Sequence, residues 1–107
     1  MQQKQLGELW PVSILTLGGG GIGQVWGQTT QQEAIATARL AVDKGITLLD
    51  MAPSYGRGEA ETVIGEAFQG RLPEHVQINS KCLLGTDSAE PTMSKLEHSI
   101  KRSLTVM

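Results

Sequence analysis

Three residues have the types and placement for proton chemistry: Asp50, Tyr55 and Lys81. Asp50 closes a short apolar run, ITLL, and Lys81 directly follows a second one, HVQINS. Tyr55, the one tyrosine of the chain, stands five residues past Asp50. If the two runs are neighbouring strands they lie about 4.8 Å apart, so the carboxylate and the ammonium meet at the strand ends with the phenol beside them. A free phenol holds its proton with a pKa of about 10. An adjacent ammonium stabilises the phenolate and makes the proton easier to give, and a carboxylate keeps that ammonium charged and oriented. Such a trio suits protonation of a carbonyl oxygen while hydride arrives at the carbon.

A second candidate is the glycine stretch LTLGGGGIGQVWG, Leu15 to Gly27, in which Gly18, Gly20 and Gly23 have the spacing G-x-G-x-x-G. In a dinucleotide-binding sheet that motif opens the helix whose N-terminus faces the pyrophosphate. Here the helix signals begin later, at Thr29–Thr30. Asp43 has about the right spacing for the ribose-binding acid but falls in a helical pattern, and Asp50 ends a strand but comes too late. The stretch is read as a flexible loop whose glycines admit close approach of backbone. A Rossmann-type nucleotide-binding module stays as an alternative.

The elements that must position these residues follow from periodicity. Residues 6–13 read as two short extended pieces around a turn, with Pro11 limiting their pairing, and residues 14–17, ILTL, as a strand. A helix starts near Thr30, where Thr30 and Glu33 have capping-box spacing. Its apolar face is Ala34, Ile35, Ala38, Ala41 and Val42, and Gly45 suits the left-handed residue that ends it. Ile46–Leu49 is a second strand with Asp50 at its end. The loop MAPSYGRG leads to a helix from Glu59 to Gln69 with Val63, Ile64, Ala67 and Phe68 on one side. His75–Ser80 is a third strand. After the loop LLGTDSAEP a last helix carries the stripe Met93, Leu96, Ile100 and Leu104, expected to be core, with Ser94 and Glu97 at capping-box spacing and Lys101–Arg102 at a solvated end. A hairpin followed by three strand–helix units implies an α/β fold with parallel pairing and right-handed crossovers, either doubly wound or a (β/α) barrel.

Composition bounds the rest. With 9 basic and 11 acidic residues the formal net charge is −2, which gives no electrostatic footprint for nucleic acid. No apolar run approaches the ~18 residues of a membrane span, and the polar start MQQKQLGELW lacks the apolar centre of a signal peptide. One cysteine, Cys82, makes no internal disulfide, so a reducing, cytoplasmic setting is expected. Cys82 has no adjacent base to activate it and reads as a packed or incidental thiol. His75, His98 and Cys82 are too widely spaced for a metal site, and none is expected.

The stretch GITLLDMAPSYGRGEAETVIGEAF resembles the signature of the aldo-keto reductases. In that family a strand ends in an aspartate, a tyrosine follows five residues later in a D-T-A-x-x-Y-G context, and a G-x-x-E-x-x-x-G-x-A helix start comes next. The matching residues are Asp50, Met51, Ala52, Tyr55 and Gly56, then Gly58, Glu61, Gly65 and Ala67. Asn79-Ser80-Lys81 matches the family's x-T-K strand end, and SKLEHSIKRSL fits the helix before a fourth strand. Met51 departs from the usual threonine.

The resemblance implies a TIM barrel and reversible reduction of an aldehyde or ketone with NADPH, or NADH, in the full-length parent. It makes Tyr55 the proton donor, Lys81 its partner, and Asp50 the partner of Lys81 near the nicotinamide ribose. Ile22 and Gly23 are then expected at the nicotinamide end, Trp26 beside Tyr55 in the substrate pocket, and Trp10 packed near the N-terminal end of the barrel. A complete barrel takes about 250 residues, so residues 1–107 are expected to be a single partial domain, the N-terminal hairpin and three βα units. The family's histidine at the end of the fourth strand and its C-terminal cofactor residues have no counterpart here, and neither His75 nor His98 stands where it would replace that histidine. Weak NADPH binding and negligible turnover by the chain alone are expected. Three strands leave two open edges. The alternative is therefore a non-catalytic barrel fragment that self-associates or pairs with a complementary fragment.

Overall fold

The computed structural model describes residues 1–86 and 89–107; Asp87 and Ser88 of the expected loop LLGTDSAEP lie outside the described residues. The chain opens with an antiparallel hairpin, β1 (Gln3–Gln5) and β2 (Pro11–Ser13), in which Gln3 faces Ser13 and Gln5 faces Pro11. The first extended piece thus lies upstream of the expected one. Residues 6–10 are the turn, held by Leu9 N–H donating to the Leu6 carbonyl at 2.9 Å, with Gly7 at φ +56°. Pro11 stands first in its strand, where a missing N–H is tolerated.

β3 is only Leu17–Gly18. Ile14 and Leu15, expected in this strand, are bent out and exposed. Inside the glycine stretch, expected to be loop, one turn of helix forms directly, α1 (Gly19–Ile22). The main helix of this unit, α2 (Gln31–Asp43), starts where its cap predicts. The Thr30 hydroxyl accepts from Glu33 N–H at 3.1 Å, and the Glu33 carboxylate accepts from Thr30 N–H at 3.0 Å. Gly45, at φ +95°, turns the chain into β4 (Leu48–Asp50).

A tight turn of 3₁₀ type, Tyr55–Gly58, leads into α3 (Glu59–Phe68); β5 (Gln77–Asn79) follows, and α4 (Thr92–Val106) closes the chain. β3, β4 and β5 form one parallel sheet in sequence order, with Leu17 beside Leu49, Gly18 beside Asp50, and Asp50 beside Asn79.

Side-chain alternation splits this sheet. Leu49, fully buried, points to the helices and meets Val63, Ile64, Ala38, Val42 and Met51 in the core. Leu48, Asp50, Gln77 and Asn79 line the opposite face, where Leu6, Leu9 and Trp10 of the hairpin turn border a cavity of about 590 Å³. Trp10 therefore lies at the mouth of that face, still 45% exposed. At the N-terminal end of the sheet two buried hydroxyls cross-bond. Ser13 N–H donates to Thr47 Oγ1 at 2.8 Å, and Thr47 N–H donates to Ser13 Oγ at 2.9 Å.

Two expectations about α4 are overturned. Pro91 precedes the helix and no side chain caps it; Ser94 lies within its first turn. The Met93–Leu104 stripe is not core: Met93 is 65% and Leu104 74% exposed, and Ser103 is the residue of this helix that is buried. The helix touches α3 along the line of Ser103 and Val106, close enough that a Cβ on Gly65 would collide with the Val106 carbonyl. Of its apolar stripe Met93, Ile100 and Leu104 are exposed and Leu96 is half-buried.

Candidate active site

Asp50 is the last residue of β4, and Lys81 lies two residues past the end of β5, so adjacent parallel strands deliver both to one end of the sheet. Lys81 Nζ donates to Asp50 Oδ1 at 2.9 Å and to the Met51 carbonyl at 2.8 Å. The same ammonium stands 5.0 Å from the centre of the Tyr55 ring, within range of a cation–π contact. The three residues singled out by type and spacing are therefore together.

Tyr55 is brought back over the strand ends by its turn. Gly56 takes φ +62° and lies so close to Gly23 that any side chain there would run into the Gly23 carbonyl. This contact requires glycine at position 56; at Gly23 a Cβ would crowd Ala60 and the Gly19 and Tyr55 carbonyls.

The electrostatics follow the geometry. Hydrogen bonding from Lys81 is the largest influence on Asp50 and holds its carboxyl below the ordinary value, with a further hydrogen bond from Asn79; partial burial works the other way. For Lys81, partial burial is the largest single influence and opposes the charge. Hydrogen bonds and charge from Asp50, together with Tyr55, outweigh it and raise the ammonium above its ordinary value. Both shifts favour the charged pair. Its side chains remain 44% and 38% exposed, so the pair orients groups more than it stabilises the fold.

Two partners were not singled out in the sequence. Asn79 Nδ2 donates to Asp50 Oδ1 at 2.6 Å, and the Met51 carbonyl takes the second Lys81 hydrogen bond. Asn79 stands opposite Asp50 in the register, so strand alignment was the signal that pointed to it.

Ile22 packs into the core, and Gly23 is buried against Ala60 and the Tyr55 carbonyl, beside the tyrosine turn. Trp26 is 81% exposed, its ring lying over Gly20. His75 and His98 are exposed on other elements. Among the described residues no group of three His, Cys, Asp or Glu is placed to hold a metal ion, and no helix is long and apolar enough to cross a membrane.

Residues 14–107 match the sequence model of the aldo/keto reductase family. A methylglyoxal reductase of Escherichia coli, YeaE, is 31% identical over 102 residues, covering 95% of this chain and 36% of the relative. An NADH-specific methylglyoxal reductase of the same organism is 36% identical over 63 residues, covering 58% of this chain and 19% of the relative. The crystal structure of an aldo-keto reductase from Klebsiella pneumoniae in complex with NADPH superposes with a TM-score of 0.69 at 29% identity, covering 99% of this chain and 37% of that one. The chain thus spans little more than a third of the length of the relatives it matches along most of its own length. The likeness to solved aldo-keto reductases identifies the hairpin and three βα units as part of a TIM barrel, and removes the Rossmann alternative. The chain belongs to the aldo/keto reductase family, as an N-terminal portion of such a barrel.

Proposed function

We propose that this member of the aldo/keto reductase family supplies the proton-donating half of a carbonyl reductase active site. One observation carries the reading: a single ammonium, on Lys81, is shared between the Asp50 carboxylate, the Met51 carbonyl and the face of Tyr55. In this arrangement the Tyr55 hydroxyl gives its proton to the oxygen of an aldehyde or ketone. Lys81 stabilises the phenolate left behind, and Asp50, steadied by Asn79, keeps Lys81 charged and in place.

A nicotinamide cofactor, when bound, supplies the hydride. The donor set fits such a group on one structural count. Gly18 stands beside Asp50 in the register, and the space where its side chain would be is open, leaving room for a flat ring next to the carboxylate. Asp50 is the side chain that would hold it; Ile22 and Gly23 would contribute through backbone only. The relatives' names support either nicotinamide coenzyme, and a small carbonyl such as methylglyoxal as substrate class. Trp26, reaching out over the glycine turn, would border that substrate beside Tyr55.

The test is reconstitution. The chain is co-expressed with the complementary C-terminal portion of a related reductase, and NADPH and NADH oxidation is followed with methylglyoxal. Recovered oxidation that falls about 10²-fold or more in Tyr55→Phe supports the reading; recovered oxidation indifferent to that change overturns it. The chain alone is expected to turn over negligibly.

A second reading, self-association, rests on a different observation. Among the described residues no further strand lies beside either edge of the three-stranded sheet, and Met93, Ile100 and Leu104 are exposed. A sedimentation profile of the chain at rising concentration checks it: a single monomer boundary throughout removes it.

A further inference from the structure

Glu61 is a buried carboxylate, 2% exposed, that the proton-transfer reading does not use. It sits in the first turn of α3 and is met from two sides. Ser80 Oγ donates to Glu61 Oε1 at 2.7 Å, and Ser103 Oγ lies 2.9 and 3.1 Å from the two carboxylate oxygens. A buried polar group persists only where hydrogen bonds replace water, and both Glu61 oxygens have a hydroxyl partner. The position of Ser80 gives this one a role. The β4–β5 ladder ends with Met51 N–H donating to the Asn79 carbonyl at 2.8 Å. Ser80 lies just past it, and the next residue is Lys81. The lysine stem is long and flexible, and the side chains of the Lys81–Asp50 pair at its tip are 44% and 38% exposed. The residue before Lys81 is tied by the Ser80–Glu61 bond, and Glu61 belongs to a helix with Ala60, Val63, Ile64 and Ala67 buried beside it.

We propose that Glu61 is a positioning residue that sets Lys81 through Ser80, while its bond to Ser103 serves only to dock α4. The inference rests on the reading of Lys81 as the partner of Tyr55. Its test needs no cofactor or carbonyl, so it stands or falls separately from the reductase chemistry.

The full chain is labelled with ¹³C,¹⁵N-lysine and the side-chain signal of Lys81, identified with Lys81→Arg, is titrated by NMR. In the parent chain the hydrogen bonds and charge of Asp50, together with Tyr55, raise Lys81 above its ordinary value. Ser80→Ala is expected to lose that upward displacement, Ser80→Thr to restore it, and Ser103→Ala to keep it, although Ser80→Ala and Ser103→Ala both lower the thermal midpoint. If Ser80→Ala does not fold, Ser80→Cys, which keeps the volume and weakens the donor, gives the same reading. Retention of the displacement in the Ser80 variant overturns the proposal. Its equal loss in the Ser80 and Ser103 variants does so too, because that is what general loosening around a merely structural carboxylate produces.

Discussion

α3 and α4 carry the same kind of sequence and have opposite fates. Both alternate apolar and polar residues with helical period, and both follow a strand of the same sheet. α3 buries Ala60, Val63, Ile64 and Ala67 against Leu49 and the α2 face. α4 buries Ser103 and leaves Met93, Ile100 and Leu104 exposed; Ile100 and Leu104 border a cavity of about 480 Å³ also lined by Leu72, Ile78, Cys82 and Met107. Periodicity says that a face exists; it does not say that the same chain covers it. α3 packs on α2 and into the core around Leu49, whereas α4 meets α3 through Ser103 and the Val106 carbonyl.

The sharpest way to break this contrast is to cut one apolar side chain from each helix. Ile64→Ala is expected to destabilise the chain by about 2–5 kcal/mol in urea unfolding. Leu104→Ala should stay within about 0.5 kcal/mol. Equal losses from the two would mean that the α4 stripe is buried in solution.

The contact between the helices comes next. Gly65→Ala improves helix propensity by about 1 kcal/mol, yet its Cβ would strike the Val106 carbonyl. A net loss of about 1–3 kcal/mol from the forced shift is expected. A gain in stability would show that α4 does not rest on α3.

The helix starts separate α2 from α4 in the same way. Thr30→Ala removes one arm of a formed capping box and should cost about 1 kcal/mol. Ser94→Ala, at the same spacing from a glutamate but inside its helix, should change stability by less than about 0.5 kcal/mol.

The smallest effect belongs to the exposed pair at the strand ends. Asp50→Asn is expected to lower stability at neutral pH by no more than about 1 kcal/mol. Because the folded state holds the Asp50 carboxyl below its ordinary 3.8, its contribution is present above that value and fades as pH falls through the lower folded value. The folded state raises Lys81 above 10.5, so the lysine's share is full below that value and is lost as pH rises through the higher one. Stability curves of the parent and Asp50→Asn should therefore converge in acid and in strong alkali; a constant gap would show that the pair is not what separates them.

These contrasts also mark what was legible beforehand. The cap at Thr30, the turn at Gly45, Asp50 at its strand end, and the meeting of Asp50, Tyr55 and Lys81 all rest on local chemistry or on the spacing of neighbouring parallel strands, which the sequence carries. The shift of the first strand to Gln3–Gln5, the shortening of Ile14–Leu17 and the exposure of the α4 stripe depend on what lies across from each segment. Propensity sees Ile14 and Leu15 as strand formers, but strand formation needs a partner, and pairing with β4 begins only at Leu17. The helical turn at Gly19–Ile22 was hidden for a related reason: glycine has the least helical preference short of proline, and packing of Ile22 into the core overrides it. Glu61 was visible as part of a motif, yet its partners Ser80 and Ser103 are 19 and 42 residues away and nothing local announces them.

The Ser13–Thr47 exchange at the bottom of the sheet has a kinetic side. Its two hydroxyls are 34 residues apart, with the whole of α1 and α2 between them. Closing a loop of that length carries an entropic cost, so docking of the hairpin on the sheet is expected to follow formation of the first unit. The latch is one serine and one threonine hydroxyl, each accepting the other residue's N–H.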